Sequence, residues 1–294
     1  MTRTKPGFIG LFAVMSLLPV SLHSQEKTPT PYFVPYDHYM EEVDTLEVEV
    51  EPVLGQAPDL PRFLAGTAQF EYGLRSWWTA EVYLDWQHTQ HENTVFTGFR
   101  FENRFRLWQE QHKINPVLYV EYAHLTAADK ILREIVGFDS KRDLAVPNSI
   151  SDKDHEDEIE TRLILSSDIG QWNLAGNFIG EKNLSVGPFE FGYAFGVRRP
   201  LAPAAGNRCA FCAEKFSAGV EFYGGLGTGK DFTVRRTSQY IAPVFLWTLA
   251  SETNIHVSVG WGLTDSSLQT LFRIGLSQEV DGIGRKIGSL FRKR

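Results

Sequence analysis

Arg100, Glu102, Arg104 and Arg106 fall at alternate positions of VFTGFRFENRFRLW, residues 95–108. Guanidinium and carboxylate groups so spaced do one of two things. They pair with neighbours across a confined space, or they line a passage and select by charge what enters it. Phe96, Gly98 and Trp108 share their parity, and the intervening positions carry Val95, Thr97, Phe99, Phe101, Asn103, Phe105 and Leu107. Period-two alternation puts the charges on one face of a strand and the apolar groups on the other, where a helix would mix them. The same face, followed along the chain, carries Glu71, Glu81, Asp85, Glu121, Glu160, Arg162, Glu190, Arg198, Glu221 and Arg273. The first alternative is a salt-bridged filling that stabilises a nearly closed barrel. The second is a charged constriction, in which the excess of Arg100, Arg104 and Arg106 favours an anionic solute.

Other groups invite chemistry and are weaker. GGLGTGK, residues 224–230, nearly spells a phosphate-binding loop, but Asp231 stands where a magnesium-binding hydroxyl belongs and no helix follows, so it reads as a hairpin loop. Cys209 and Cys212 are the only cysteines, and in an oxidising compartment they are expected to form a local disulfide. His88, His91 and the acidic run at residues 152–158 read as solvated loops, with weak divalent-cation binding, bridging to lipopolysaccharide, as the sharper alternative. A barrel-embedded lipid hydrolase would need Ser beside His on the outer wall. His124 has the outward parity and His256 the inward one, neither with an evident Ser and orienting Asn or Asp. No catalytic residues, metal site or cofactor are expected.

The elements that position the charges are strands. At about 3.4 Å per residue and a tilt near 40°, residues 95–108 climb roughly 33 Å, enough for the ~25 Å apolar band of an outer-membrane barrel. Similar patterns recur at residues 43–52, 63–74, 77–88, 117–125, 159–168, 172–181, 189–198, 216–226, 239–250, 255–263 and 268–280, about twelve strands in all. A soluble sandwich would show the same alternation. Three features favour lipid outside. The seven Trp residues lie near strand ends. Tight turns near Arg75, Gly170 and Glu252 alternate with longer loops at residues 126–157 and 227–238. The strand count is even, which leaves both termini in the periplasm.

Arg3 and Lys5 precede the apolar residues 7–20, and small or polar residues follow to Ser24. About 14 apolar residues are too few for a membrane anchor, so residues 1–24 read as a cleaved signal peptide. Residues 25–42 follow as a periplasmic lead-in, residues 43–280 as the barrel and residues 281–294 as a basic tail, disordered or lying on anionic lipid. The formal net charge of −7 argues against nucleic acid. The expected setting is the bacterial outer membrane, with its lipid, lipopolysaccharide and assembly machinery as partners.

FEYGLRSWWTAEVYLDWQ from Phe70, FTGFRFENRFRLW from Phe96, ETRLILSSDIGQWNL from Glu160 and VGWGLTDSSLQTLFRIGLS from Val259 share a strand, a "YGL" or "WGLTD" corner and a returning strand. In this form the chain resembles the outer-membrane barrels of the MetA-pathway phenol-degradation type, distantly similar to toluene and fatty-acid channels. The resemblance implies passage of small aromatic or hydrophobic molecules and carries no site residues with it. The last strand departs from the usual aromatic end, running through Gln278, Glu279 and Val280. The expectation is therefore an all-β antiparallel transmembrane barrel acting as a passive channel for a small solute. Two alternatives stand behind it: a charge-plugged barrel whose loop at residues 126–157 binds a surface partner, and the lipid hydrolase.

Overall fold

The computed structural model describes residues 30–58, 60–131, 135–141, 143–201, 216–249 and 253–286. The signal peptide, Cys209, Cys212 and residues 287–294 of the tail lie outside them. In chain order the strands are β1 (Thr45–Gln56), β2 (Phe63–Arg75), β3 (Trp78–Thr89), β4 (Thr94–Arg106), β5 (Asn115–Thr126), β6 (His155–Ile169), β7 (Trp172–Asn183), β8 (Glu190–Pro200), β9 (Phe216–Thr228), β10 (Asp231–Phe232), β11 (Gln239–Thr248), β12 (Thr253–Gly262) and β13 (Thr270–Asp281). Every pairing among them is antiparallel, and β13 pairs with β1 while β8 pairs with β9, so the sheet closes. The two-residue β10 only extends the β9 hairpin, which leaves twelve strands in the barrel wall. GGLGTGK is the end of β9 and its turn, as expected of a hairpin loop.

Phe70, Val82, Phe101, Tyr122 and Ile159 lie opposite one another on successive strands and are all exposed. The charged set faces the other way: of the residues placed inward from sequence, all but the half-buried Glu190 are buried. This inverts a soluble protein. Both chain ends leave from one end of the barrel, with the long connection at residues 127–154 at the other, the arrangement of barrels whose termini lie in the periplasm.

One position breaks the alternation. Asp85 faces Gly98 and Trp86 faces Phe96, so Thr97 is an extra residue in β4. Gly98 sits at φ 144°, and a Cβ there would lie 2.1 Å from the carbonyl oxygen of His124, so the bulge requires glycine. Before it the faces swap. Phe96, expected on the charged face, is 60% exposed, and Thr97, expected on the lipid face, is fully buried.

Candidate functional site

The register of the wall sets out an unexpected line. Glu47 lies opposite Glu279 on one side and Glu71 on the other, and Glu71 lies opposite Glu81. Glu81 then faces Glu102, Glu102 faces Glu121, and Glu121 faces Glu160. Glu160 faces Glu181, which faces Glu190. Because the strands are staggered around the barrel, this line climbs as it turns. It starts near the terminal end of β13 and ends on the first residue of β8 at the far end. Arginines meet it midway. Arg104 Nη2 lies 2.7 Å from Glu71 and 3.5 Å from Glu81, and its Nε lies 2.7 Å from Glu102. Arg100 pairs with Asp85 at 2.9 Å and Glu121 at 3.6 Å, and Arg162 with Glu160 at 2.5 Å. Arg106 donates to the carbonyl of His38. The arginine excess expected to attract an anion is therefore engaged by the protein's own acceptors.

The lead-in expected in the periplasm is instead inside the barrel. Residues 30–42 enter and leave at the terminal end, with their tip near mid-lumen. The Tyr32 hydroxyl donates to the Asn173 carbonyl, Phe33 N–H donates to Glu221, and Arg162 donates to the Val34 carbonyl. The Tyr36 hydroxyl bonds Glu102 at 2.9 Å and the Tyr83 hydroxyl at 2.8 Å, and its ring lies 4.9 Å and 5.0 Å from the Arg104 and Arg162 guanidinium carbons. Asp37 pairs with Arg198, and Tyr39 donates to Asp168. The physical reason is mutual need. An unfilled lumen wall would bury charges without partners, and the segment brings aromatic faces, carbonyls and N–H groups that satisfy them. The one signal of this in the sequence is YFVPYDHYM, residues 32–40, too aromatic for a solvated linker and broken by Pro35.

The long loop also turns inward, against the expectation of an outward-facing surface. Ile131, Ile135 and Val136 are buried in one apolar cluster with Tyr32, Phe33 and Val34 and with wall residues such as Tyr223 and Tyr240. Gly137 N–H donates to Phe191, and Gly227 N–H donates to Gly137. The barrel is thus filled from both ends. A cavity of about 580 Å³ remains at the far end, between the loop and the strand ends of β5 to β8, and the acidic residues Asp154, Glu156 and Glu158 line it.

Asp129 fastens the loop to the wall by accepting a hydrogen bond from the displaced Thr97. Burial, then the nearby Asp85 charge, pushes its carboxyl up to about 7. A free carboxyl ionises near pH 4, so between about pH 4 and 7 the exposed loop has lost its proton while the docked loop keeps it. Loop docking therefore weakens as pH rises, by at most roughly 1.4 kcal/mol per pH unit. Hydrogen exchange, corrected for its intrinsic pH dependence, should show protection of residues 127–154 falling over that window. Asp129→Asn should abolish the slope, and equal slopes in both proteins would refute this assignment.

His38 carries a second surprise. Its Nδ1 lies 2.5 Å from Ser166 Oγ and its Nε2 lies 3.4 Å from Asp168. These are the residue types of a hydrolytic triad, found in the lumen rather than on the outer wall. His38 is 1% exposed and Ser166 2%, and no ester carbonyl fits beside a serine so covered. Burial also holds the imidazole below its ordinary pKa, so it is neutral near pH 7. The geometry is a clamp on the inserted segment. On the outer wall, His124 pairs with Asp157 at 2.8 Å and stacks on His155. His256 faces inward, edge-on to Phe33. At the terminal end Glu41, Glu47 and Glu279 bring carboxylate oxygens within 4.8 Å of one another.

A closed sheet that exposes its phenylalanines and buries its glutamates needs hydrocarbon outside, and the backbone of the wall is paired strand to strand all the way round. The chain is an outer-membrane β-barrel protein. No protein-family model and no curated protein sequence matches it. Solved barrels resemble it in fold. LpxR from Salmonella typhimurium aligns at 10% identity over 80% of this chain and 99% of that one, with a TM-score of 0.41. The translocator domain of the autotransporter NalP from Neisseria meningitidis aligns at 9% identity over 80% and 87%, with a TM-score of 0.41. The CymD monoaromatic hydrocarbon channel aligns at 9% identity over 82% and 90%, with a TM-score of 0.38.

Proposed function

We propose that the protein is a passive outer-membrane channel for a small solute, held shut by residues 30–42. One observation carries this reading: the lumen is closed by a segment that belongs to no strand and enters and leaves at one end. The segment is held by hydrogen bonds and ion pairs to the wall, such as Asp37 to Arg198 and Tyr36 to Glu102, and by the packing of Tyr32, Phe33 and Val34. A barrel serving only as a scaffold needs no removable filling, since wall side chains alone can close so narrow a lumen. The likeness to MetA-pathway barrels makes small aromatic molecules the first solutes to try. The Tyr36 ring, seated between Arg104 and Arg162, marks a place of suitable shape.

Liposome swelling tests this with a phenol-sized neutral ring, an aliphatic amine and a carboxylate of equal size. Tyr36→Ala should admit at least one of them faster than the unaltered protein. Silence from both proteins, each still showing the heat-dependent gel mobility of a folded barrel, would favour a structural role instead.

A further inference from the structure

The far end of the wall carries a surface that a channel has no need of. We propose that the lipid side of β7 to β10 binds lipopolysaccharide of the outer leaflet, with Lys182, Lys230 and Arg235 on its phosphates and a face of aromatic rings on its acyl chains. From Phe189, just before β8, every outward position is aromatic as far as Phe195, through Phe191 and Tyr193. The Phe189 ring lies 5.1 Å from Phe191, Tyr193 lies 5.3 Å from Phe195, and Phe195 lies 6.2 Å from Phe178 on β7. Phe232 on β10 extends the face, its ring 6.4 Å from that of Phe191. Gly180 leaves the backbone of β7 bare, and the Phe189 ring lies over it. Phe178, Phe189, Phe195 and Phe232 are all exposed. Such a face offers acyl chains an apolar surface with few gaps.

Cations stand where this face ends. Lys182 lies opposite Ile159, which is exposed to lipid, and it neighbours Phe189, because Glu181 lies opposite Glu190. Its ammonium reaches the carbonyls of Asn183, Val186 and Gly187 in the turn between β7 and β8. That is the posture of a lysine whose stem crosses apolar surface to put its charge among headgroups. Beyond β9, residues 229–238 bring Lys230, Arg235 and Arg236 against one acid, Asp231. Arg236 takes that acid for itself, at 2.5 Å and 2.7 Å. Lys230 and Arg235 are exposed, and neither side chain has a partner among the described residues. On a chain of net charge −7, two unpaired cations at the lip of an aromatic face reverse the sign locally.

Lipopolysaccharide suits this arrangement better than a phospholipid or a second copy of the chain. The patch lies at the end away from the termini, which is the outer-leaflet end when the termini are periplasmic. A glycerophospholipid presents a single phosphate, whereas the lipid anchor of lipopolysaccharide carries phosphates at both ends of a disaccharide above several chains. The cations are divided in the same way. In strand order Lys182 on β7 lies to one side of the rings, and Lys230 with Arg235 lies to the other, beyond β9. Basic side chains at a lipid surface are drawn to anionic headgroups, and the guanidinium fork matches phosphate oxygens. A second copy in a twofold contact would set the same cations against one another.

The test uses the full-length protein in the outer membrane of a Gram-negative host, checked for heat-dependent gel mobility. Phe232→benzoylphenylalanine places a photo-crosslinker in the patch, and Trp172→benzoylphenylalanine places one at the terminal end of β7 as the control. Irradiation should give an adduct reactive with antibody to lipopolysaccharide from Phe232, and about fivefold less or lower from Trp172. Adding Lys230→Ala and Arg235→Ala, which remove no side-chain bond of the fold, should lower the Phe232 adduct by about threefold or more. Purified barrel should bind dephosphorylated lipopolysaccharide about tenfold more weakly than the intact lipid. Equal binding of the two lipids overturns the phosphate contacts, and a folded barrel without the Phe232 adduct overturns the whole assignment. An adduct of twice the protein's mass gives the face to a second copy and overturns it as well. None of these outcomes bears on whether the lumen conducts.

Discussion

Deleting residues 30–42 should convert a nearly silent barrel into a conducting one, raising single-channel conductance by about tenfold or more over that of the intact protein. The segment fills the terminal half of the lumen, and Tyr36 near its tip is bonded to Glu102 of the wall. Its loss leaves Arg106, Arg162, Arg198 and Glu221 without the partners it supplies. Water entering from the terminal end would solvate them, so the cost of exposed lumen charge falls well below that of a dry cavity. The wall itself keeps every strand pairing. Folded barrel with no conductance would show that the loop at residues 127–154 closes the lumen unaided, and then the segment is packing rather than a stopper.

How far the sequence foretells this depends on the scale. Alternation is local, so Phe99, Arg100, Phe101 and Glu102 announce both faces of β4 without any knowledge of its neighbours. The bulge at Thr97 goes unannounced, because Gly98 is needed for an approach to the His124 carbonyl on another strand. The glutamate line is hidden for a related reason. Each member's inward parity is legible, but opposition is a matter of register, which depends on the stagger between strands. The lead-in escapes because its partners, among them Tyr83, Glu102, Arg162, Asn173, Arg198 and Glu221, are scattered from β3 to β9 and it has no period of its own. The charge of the loop at residues 127–154 suggests surface, although Ile131, Ile135 and Val136 have no place in water. Counting arginines on one strand suggests an anion. Counting their partners on the adjoining strands removes that inference.

Arg104→Ala should destabilise the detergent-solubilised barrel by about 3–5 kcal/mol, the usual cost of stranding buried charge. Three buried carboxylates, Glu71, Glu81 and Glu102, share this one guanidinium, and it also lies over the Tyr36 ring. Removing it leaves like charges opposed on β2, β3 and β4 without the cation that now joins them. The apolar isostere separates charge from packing. Arg104→Met restores the volume but not the counter-charge, so it should remain almost as unstable as the alanine variant. Adding Glu102→Gln to Arg104→Met should recover part of the loss, because the neutral amide no longer repels its neighbours. Gel mobility and circular dichroism melts of the three variants measure this. Equal melting temperatures for Arg104→Met with and without Glu102→Gln would mean that Arg104 is held for packing against the plug, and that water already neutralises the glutamates at mid-lumen.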